Sequence, residues 1–138
     1  MHQVIYDSRG GNTRKLAAAM AEALGVKAVD VRAVSLDPGA GILFLGSGCY
    51  GGKPGKDMLN FIETHDFRGR PIALFGTSGG GQGLEVEAMA EALKGKGATV
   101  KGNYYCGGQF LLFVSRGHPD AADLDAARKF AREMARLQ

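Results

Sequence analysis

The sequence predicts an α/β fold in which a five-stranded parallel sheet carries helices on both faces. Short apolar segments alternate with amphipathic helical segments along the chain. Residues 42–45 are continuously apolar, as expected of a central parallel strand that is buried on both faces. The 138 residues are enough for one domain with its own core, so we expect a single domain over residues 1–138.

Each element follows from local periodicity and from the residues that end it. The predicted strands are residues 4–6, 26–31, 42–45, 71–75 and 99–105. Four helices are predicted. The first covers 13–24 and ends at Gly25, and the second covers 57–65. The third lies around Met89 and Leu93 and ends at 95–97, and the fourth begins near Asp120. The apolar segment 110–114 receives no assignment.

Composition and charge exclude several classes of protein. A net charge of +3 is too small to indicate a nucleic-acid binder. No apolar run approaches the roughly 20 residues of a membrane-spanning helix, and the N-terminus reads as a strand rather than a signal peptide. Two cysteines and three scattered histidines predict neither a disulfide framework nor a metal site. We therefore expect a cytoplasmic protein with reduced thiols.

The strongest functional signal is the placement of glycine. The chain has 22 glycines in 138 residues, about twice the usual share of ~7%. Many of them fall in three predicted loops, 7–12, 46–56 and 76–83, which follow the first, third and fourth strands. Ligands of open parallel sheets bind beyond the carboxyl ends of the strands, at the point where the strand order reverses. The three loops therefore predict a ligand site at that edge.

The first loop has the features of an anion site. Ser8, Asn12 and Thr13 supply side-chain donors, and Gly10 and Gly11 allow the backbone to curl around a phosphate at the N-terminus of the first helix. The alternative is an ordinary helix start that is capped by Asn12 or Thr13.

The second and third loops offer groups for a planar ligand. In the second loop, Tyr50 is an aromatic ring between flexible positions, and it either stacks on such a ligand or packs over the sheet edge. The third loop offers Thr77, Ser78 and three glycines to a polar ring edge, and the alternative is a plain mobile loop.

Together the three loops, in this order and spacing, resemble the flavodoxin family over the whole chain. Ser8-Arg9-Gly10-Gly11-Asn12-Thr13 resembles the family's phosphate loop, with Gly10 in place of a threonine. Residues 46–51 resemble the first flavin loop, and Phe75-Gly76-Thr77-Ser78 resembles the start of the second. Gly117-His118-Pro119-Asp120, with Phe130 on the last helix, is similar to the ending of short flavodoxin-like proteins.

This resemblance implies a flavodoxin-like, doubly wound sheet of order 2-1-3-4-5 and one-electron transfer through non-covalent FMN. Tyr50 would stack on the flavin, and the Gly51 carbonyl would accept a hydrogen bond from N5 of the reduced flavin. No side chain need act as an acid, a base or a nucleophile. The residues expected to bind the cofactor are Ser8, Arg9, Gly10, Gly11, Asn12, Thr13, Ser47, Gly48, Cys49, Tyr50, Gly51, Thr77, Ser78 and Gly79.

Two departures from the family pattern bear on function. The third loop has no aromatic residue, so the second flavin face is either open or covered by Tyr104, Tyr105 or Phe110. Typical flavodoxins are acidic, whereas this chain has a pI near 9.0, so its redox partner protein is expected either to differ from theirs or to be acidic.

The leading interpretation is a monomeric electron carrier. The alternatives are an FMN-dependent NAD(P)H:quinone-type reductase and a flavin-free interaction or regulatory module on the same fold.

Overall fold

A computed structural model describes residues 1–107 and 119–137 of the chain. Within these residues five parallel strands form one sheet of order β2-β1-β3-β4-β5, which confirms the expected architecture. The strands are β1 (Gln3–Asp7), β2 (Ala28–Asp30), β3 (Leu43–Gly48), β4 (Pro71–Ser78) and β5 (Thr99–Gly107). The helices are α1 (Asn12–Leu24), α2 (Lys56–Thr64), α3 (Leu84–Lys94) and α4 (Ala121–Arg136).

The sheet separates two apolar cores, each made by a pair of helices. On one face, α1 and α4 pack Leu16, Met20 and Ala131 against Phe44 and Phe75. On the other face, α2 and α3 bring buried side chains onto alternate residues of the same strands; these are Met58, Phe61, Ile62, Val86, Met89 and Leu93. Because successive strand residues point to opposite faces, the continuously apolar β3 segment serves both cores.

The strands that lead to the site are longer than predicted. Residues 46–48 and 76–78 were expected in loops, but they continue β3 and β4. Glycine is a poor strand former, so these positions read as loop in the sequence. The structure shows why glycine is needed: the Phe75 ring covers Gly46, and a Cβ at Gly76 would lie 2.7 Å from the Glu85 carboxylate carbon. The prediction was wrong here because neighbouring side chains, not local propensity, select these glycines.

The other boundaries differ by only a few residues. β2 covers Ala28–Asp30 rather than 26–31. α4 begins as predicted, with a reciprocal pair of hydrogen bonds between Asp120 and Asp123 that caps its first turn. Residues 110–114, Gly117 and His118 lie outside the described residues. No helix in the described ranges is long and apolar enough to cross a membrane.

Candidate functional site

A cavity of about 320 Å³ lies at the carboxyl edge of β1, β3 and β4. It is formed where the strand order reverses between β1 and β3. Eleven residues line it, and each belongs to the set that the sequence predicted: Ser8, Arg9, Gly10, Asn12, Thr13, Gly48, Cys49, Tyr50, Thr77, Ser78 and Gly79. The structure therefore brings parts of all three glycine-rich segments to one place.

The N-terminus of α1 opens into this cavity without a side-chain cap. The residue before the helix is Gly11 in the left-handed conformation, with φ of 90°, so the alternative of a helix start capped by Asn12 or Thr13 does not hold. The loop is held instead by the Gly11 N–H, which donates to Ser8 Oγ at 3.1 Å. Positive φ requires glycine at this position. The first N–H groups of a helix have no partner within the helix, and this makes the end of the cavity at α1 suited to an anion.

Thr13 and Thr77 join the first segment to the third. Their hydroxyl oxygens lie 2.8 Å apart in a buried hydrogen bond, which links the first turn of α1 to the end of β4. Thr13 is 1% exposed and Thr77 is 4% exposed. These hydroxyl groups therefore hold two walls of the cavity in register.

Tyr50 reaches from the second segment to the first. Its hydroxyl accepts a hydrogen bond from the Arg9 backbone N–H at 3.0 Å, and the Arg9 guanidinium lies 4.0 Å from the centre of its ring. Burial raises the pKa of this phenol, so it stays protonated. A turn positions the ring, because the Tyr50 N–H donates to the Lys53 carbonyl at 2.7 Å. The hydroxyl thus occupies one backbone N–H of the predicted phosphate loop.

Three predicted residues do not line the cavity. Gly11 lies behind the loop and lines an adjacent polar recess. Gly51 is exposed in the Tyr50–Lys53 turn with φ of 65°. Ser47 is fully buried; its hydroxyl accepts the Gly55 N–H and donates to the Gly48 carbonyl, both at 2.8 Å. Ser47 therefore lies beneath the cavity and stabilises the backbone that forms it.

The aromatic residues proposed to cover a ligand lie in different places. Tyr104 packs on Phe130, with ring centres 6.0 Å apart, and its hydroxyl donates to the Asp123 carbonyl. Tyr104 therefore belongs to the contact between β5 and α4. Tyr105 is 44% exposed and lies against Gly83 at the start of α3. Phe110 lies outside the described residues.

Comparison with known proteins agrees with this geometry. A family model described as a flavodoxin domain matches residues 3–110. The chain belongs to the flavodoxin domain family. A relative in Methanocaldococcus jannaschii, an uncharacterized protein, is 27% identical over 134 residues, and the match covers 89% of each chain.

Solved structures share the fold of this flavodoxin-family chain. A flavodoxin from the domain Archaea has a TM-score of 0.74 at 19% identity, covering 99% of this chain and 96% of the other. Oxidised flavodoxin 2 from Bacillus cereus has a TM-score of 0.74 at 21% identity, covering 99% of each chain. At this level of identity the likeness establishes the fold.

A polar row beneath the cavity was not predicted from the sequence. Asp7, Ser47 and Gly76 are paired across β1, β3 and β4, and they share the face that α2 and α3 cover. The Asp7 carboxylate at the end of β1 accepts a hydrogen bond from the Met58 N–H at 3.1 Å and so caps the first turn of α2. Burial raises its pKa. Of this row, only Ser47 was expected to bind the cofactor; Asp7, an acidic residue just after the first predicted strand, was the signal that could have revealed the rest.

An arginine-rich recess borders the predicted phosphate loop on its outer side. Its volume is about 210 Å³, and Arg9, Arg14 and Arg32 line it together with Asp30. Asp30 binds Arg32 through both carboxylate oxygens, at 2.8 and 3.0 Å. The recess therefore has more positive than negative side chains, next to the cavity.

Proposed function

We propose that this chain binds FMN without a covalent bond and carries single electrons between redox partner proteins. Family membership supports this proposal, and one structural observation carries it. A glycine-built anion site at the start of α1 and an aromatic ring on the second segment border the same cavity. This combination suits a molecule with a phosphate at one end and a planar ring at the other.

The residues present fit FMN. The cavity volume lies within the range of ligand pockets, roughly 300–1,000 Å³. Ser8, Gly10, Asn12 and Thr13 would hold the phosphate. Tyr50 would contact the ring, and the polar groups of residues 77–79 would bind its edge.

The chemistry divides between cofactor and protein. The flavin supplies the capacity to accept and release single electrons. The protein binds it, orients it and limits its contact with water. Among the described residues that line the cavity there is no histidine, aspartate or glutamate, so none of these lining residues offers an imidazole or a carboxylate to the cofactor.

An FMN titration of the flavin-stripped protein tests the proposal. We expect saturable quenching of flavin fluorescence, with riboflavin binding at least tenfold more weakly because it lacks the phosphate. Equal affinity for both would contradict the anion site. Absence of saturable binding would contradict the function and favour the flavin-free interaction module.

The second candidate is an FMN-dependent reductase of quinones that is supplied by NAD(P)H. It is favoured by one observation: among the described residues that line the cavity, Tyr50 is the single aromatic side chain, so the other flavin face would be accessible. NAD(P)H oxidation by the FMN-loaded protein alone, with a quinone as acceptor, distinguishes it from an electron carrier.

The basic recess indicates the charge of the partner. Arg9, Arg14 and Arg32 lie next to the cavity, and the pI is near 9.0. Opposite charge accelerates docking, so an acidic partner surface fits this side of the molecule.

A further inference from the structure

Glu85 is a buried carboxyl group that the proposed function does not use. It lies in the first turn of α3 and has 0% exposed surface. Neither of its carboxylate oxygens has a hydrogen-bond partner among the described residues. A buried carboxylate without such partners is costly, and it lowers that cost by taking up a proton.

The surroundings of Glu85 favour its neutral form. Burial raises its pKa to about 7, although the nearby backbone N–H groups of Glu85 and Val86, which do not reach hydrogen-bond geometry, oppose the shift. The titratable groups that interact electrostatically with it are Cys49 of the second segment, Cys106 of β5 and Glu87 of its own helix. Within the described residues no lysine, arginine or histidine contributes to its pKa.

The position of Glu85 couples it to the cavity. Its side chain lies over Gly76, in the same transverse row of the sheet as Asp7 and Ser47. The next residue of that strand, Thr77, points to the opposite face and lines the cavity. Cys49 also lines the cavity; burial raises the pKa of its thiol, and the Glu85 carboxylate adds to that shift. Only the sheet therefore separates Glu85 from a charge in the cavity. Because the protein interior has a low dielectric constant, the two interact strongly.

We propose that Glu85 is the proton-exchanging group of this site, whose carboxylate takes up one proton when an electron enters the adjacent cavity on a bound flavin. This inference rests on the proposed function. The electron comes from the redox partner, and the proton comes from water. The proton forms the carboxyl O–H bond of Glu85, and hydroxide remains in solution. Net charge in the site is then unchanged. The helix turn that carries Glu85 borders solvent, because the preceding residue, Leu84, is 44% exposed.

Midpoint potentials from pH 5.5 to 8.5 test this role in FMN-loaded wild type and Glu85→Gln. Protons taken up by the flavin itself are common to both proteins, so the difference between the curves reports on Glu85. Below about pH 7 we expect the midpoint potentials of the two proteins to differ by a constant amount. Above about pH 7 the wild-type potential should fall relative to that of the variant. The difference between the two potentials should change by at most a factor of ten in the reduction equilibrium per pH unit, which is about 59 mV for one electron.

Glu87→Gln is the matched control. It removes the same charge from the same helix turn, but Glu87 is exposed. Its curve should keep the shape of the wild-type curve, with the break at slightly lower pH because the Glu87 carboxylate raises the pKa of Glu85. Parallel curves for Glu85→Gln and wild type would overturn the inference and leave FMN binding intact, whereas failure of the wild type to bind FMN would end both proposals.

A measurement on the wild type covers the case in which Glu85→Gln does not fold. Reduced-minus-oxidised infrared spectra at pH 8 should show the C=O stretch of a newly protonated carboxylic acid. That band should shift when the protein contains ¹³C-labelled glutamate. A spectrum without a glutamate-sensitive band would overturn the inference.

Discussion

At the scale of single residues, Tyr50 has two roles that substitution can separate. Its hydroxyl accepts the Arg9 backbone N–H, and a bound phosphate would compete for that group. Its ring offers stacking area. Tyr50→Phe removes the competitor and keeps the ring, so we expect FMN to bind about two- to tenfold more tightly, the range of one net hydrogen bond.

Tyr50→Ala is the comparison variant, and it should weaken FMN binding by tenfold or more because the stacking surface is lost. Fluorescence titrations of both variants and the wild type measure these changes. Equal weakening by the two substitutions would mean that the hydroxyl supports the bound state rather than opposing it.

Glu85 also predicts how stability depends on pH. An unfolded glutamate loses its proton near pH 4.5, whereas folded Glu85 keeps it until about pH 7. Because the folded state binds the extra proton in that window, stability falls as pH rises through it, and the loss is complete above about pH 7. The shift corresponds to about 3 kcal/mol.

Urea unfolding of the ligand-free protein at pH 5 and pH 8 measures this loss. Glu85→Gln should unfold with a smaller difference between the two pH values than the wild type shows, and Glu87→Gln should resemble the wild type. If the wild type and Glu85→Gln lose the same stability, Glu85 is ionised in the folded state at pH 5.

At the scale of elements, the bond between Thr13 and Thr77 ties α1 to β4. Thr13→Val leaves the Thr77 hydroxyl buried without its partner, and we expect it to cost about 1–3 kcal/mol of unfolding free energy. Thr77→Val should cost a similar amount. The double variant should lose less than the sum of the two, because neither hydroxyl is then left alone.

A thermodynamic cycle from urea unfolding of these four proteins gives the coupling energy. Thr64→Val is a control, because the Thr64 hydroxyl bonds to a carbonyl within its own exposed helix turn. Additive losses at positions 13 and 77 would show that the two hydroxyl groups do not stabilise each other.

The elements also show what the sequence can predict. Apolar segments located the strands, and the loops at their carboxyl ends located the site. The strand order and the full set of residues that line the cavity followed from the resemblance to the flavodoxin family. Gly46 and Gly76 were wrongly predicted to lie in loops, because their role depends on contacts with the Phe75 ring and the Glu85 side chain. Glu85 itself resembled an ordinary acidic residue in a first helical turn. Its burial is a tertiary property that no local pattern reports.

At the scale of the whole molecule, charge should control which oxidants reach the site. Arg14 and Arg32 lie in the recess beside the cavity but do not line the cavity itself. The reduced FMN-loaded protein should therefore react faster with anionic ferricyanide at low salt and slow down as salt screens the arginines. Cationic cobalt hexaammine should show the opposite dependence on salt.

The double variant Arg14→Gln/Arg32→Gln should lose most of the salt dependence with ferricyanide and keep its affinity for FMN. Arg132→Gln/Arg136→Gln is the matched control: it removes the same total charge from exposed positions in the second half of α4, which do not line the recess. Stopped-flow reoxidation at several ionic strengths measures both. If the two double variants respond alike, net charge acts at long range and the recess does not steer partners. If only the first responds, the recess faces the approach path, and the positions of Arg14 and Arg32 identify the side of the molecule on which an acidic redox protein docks.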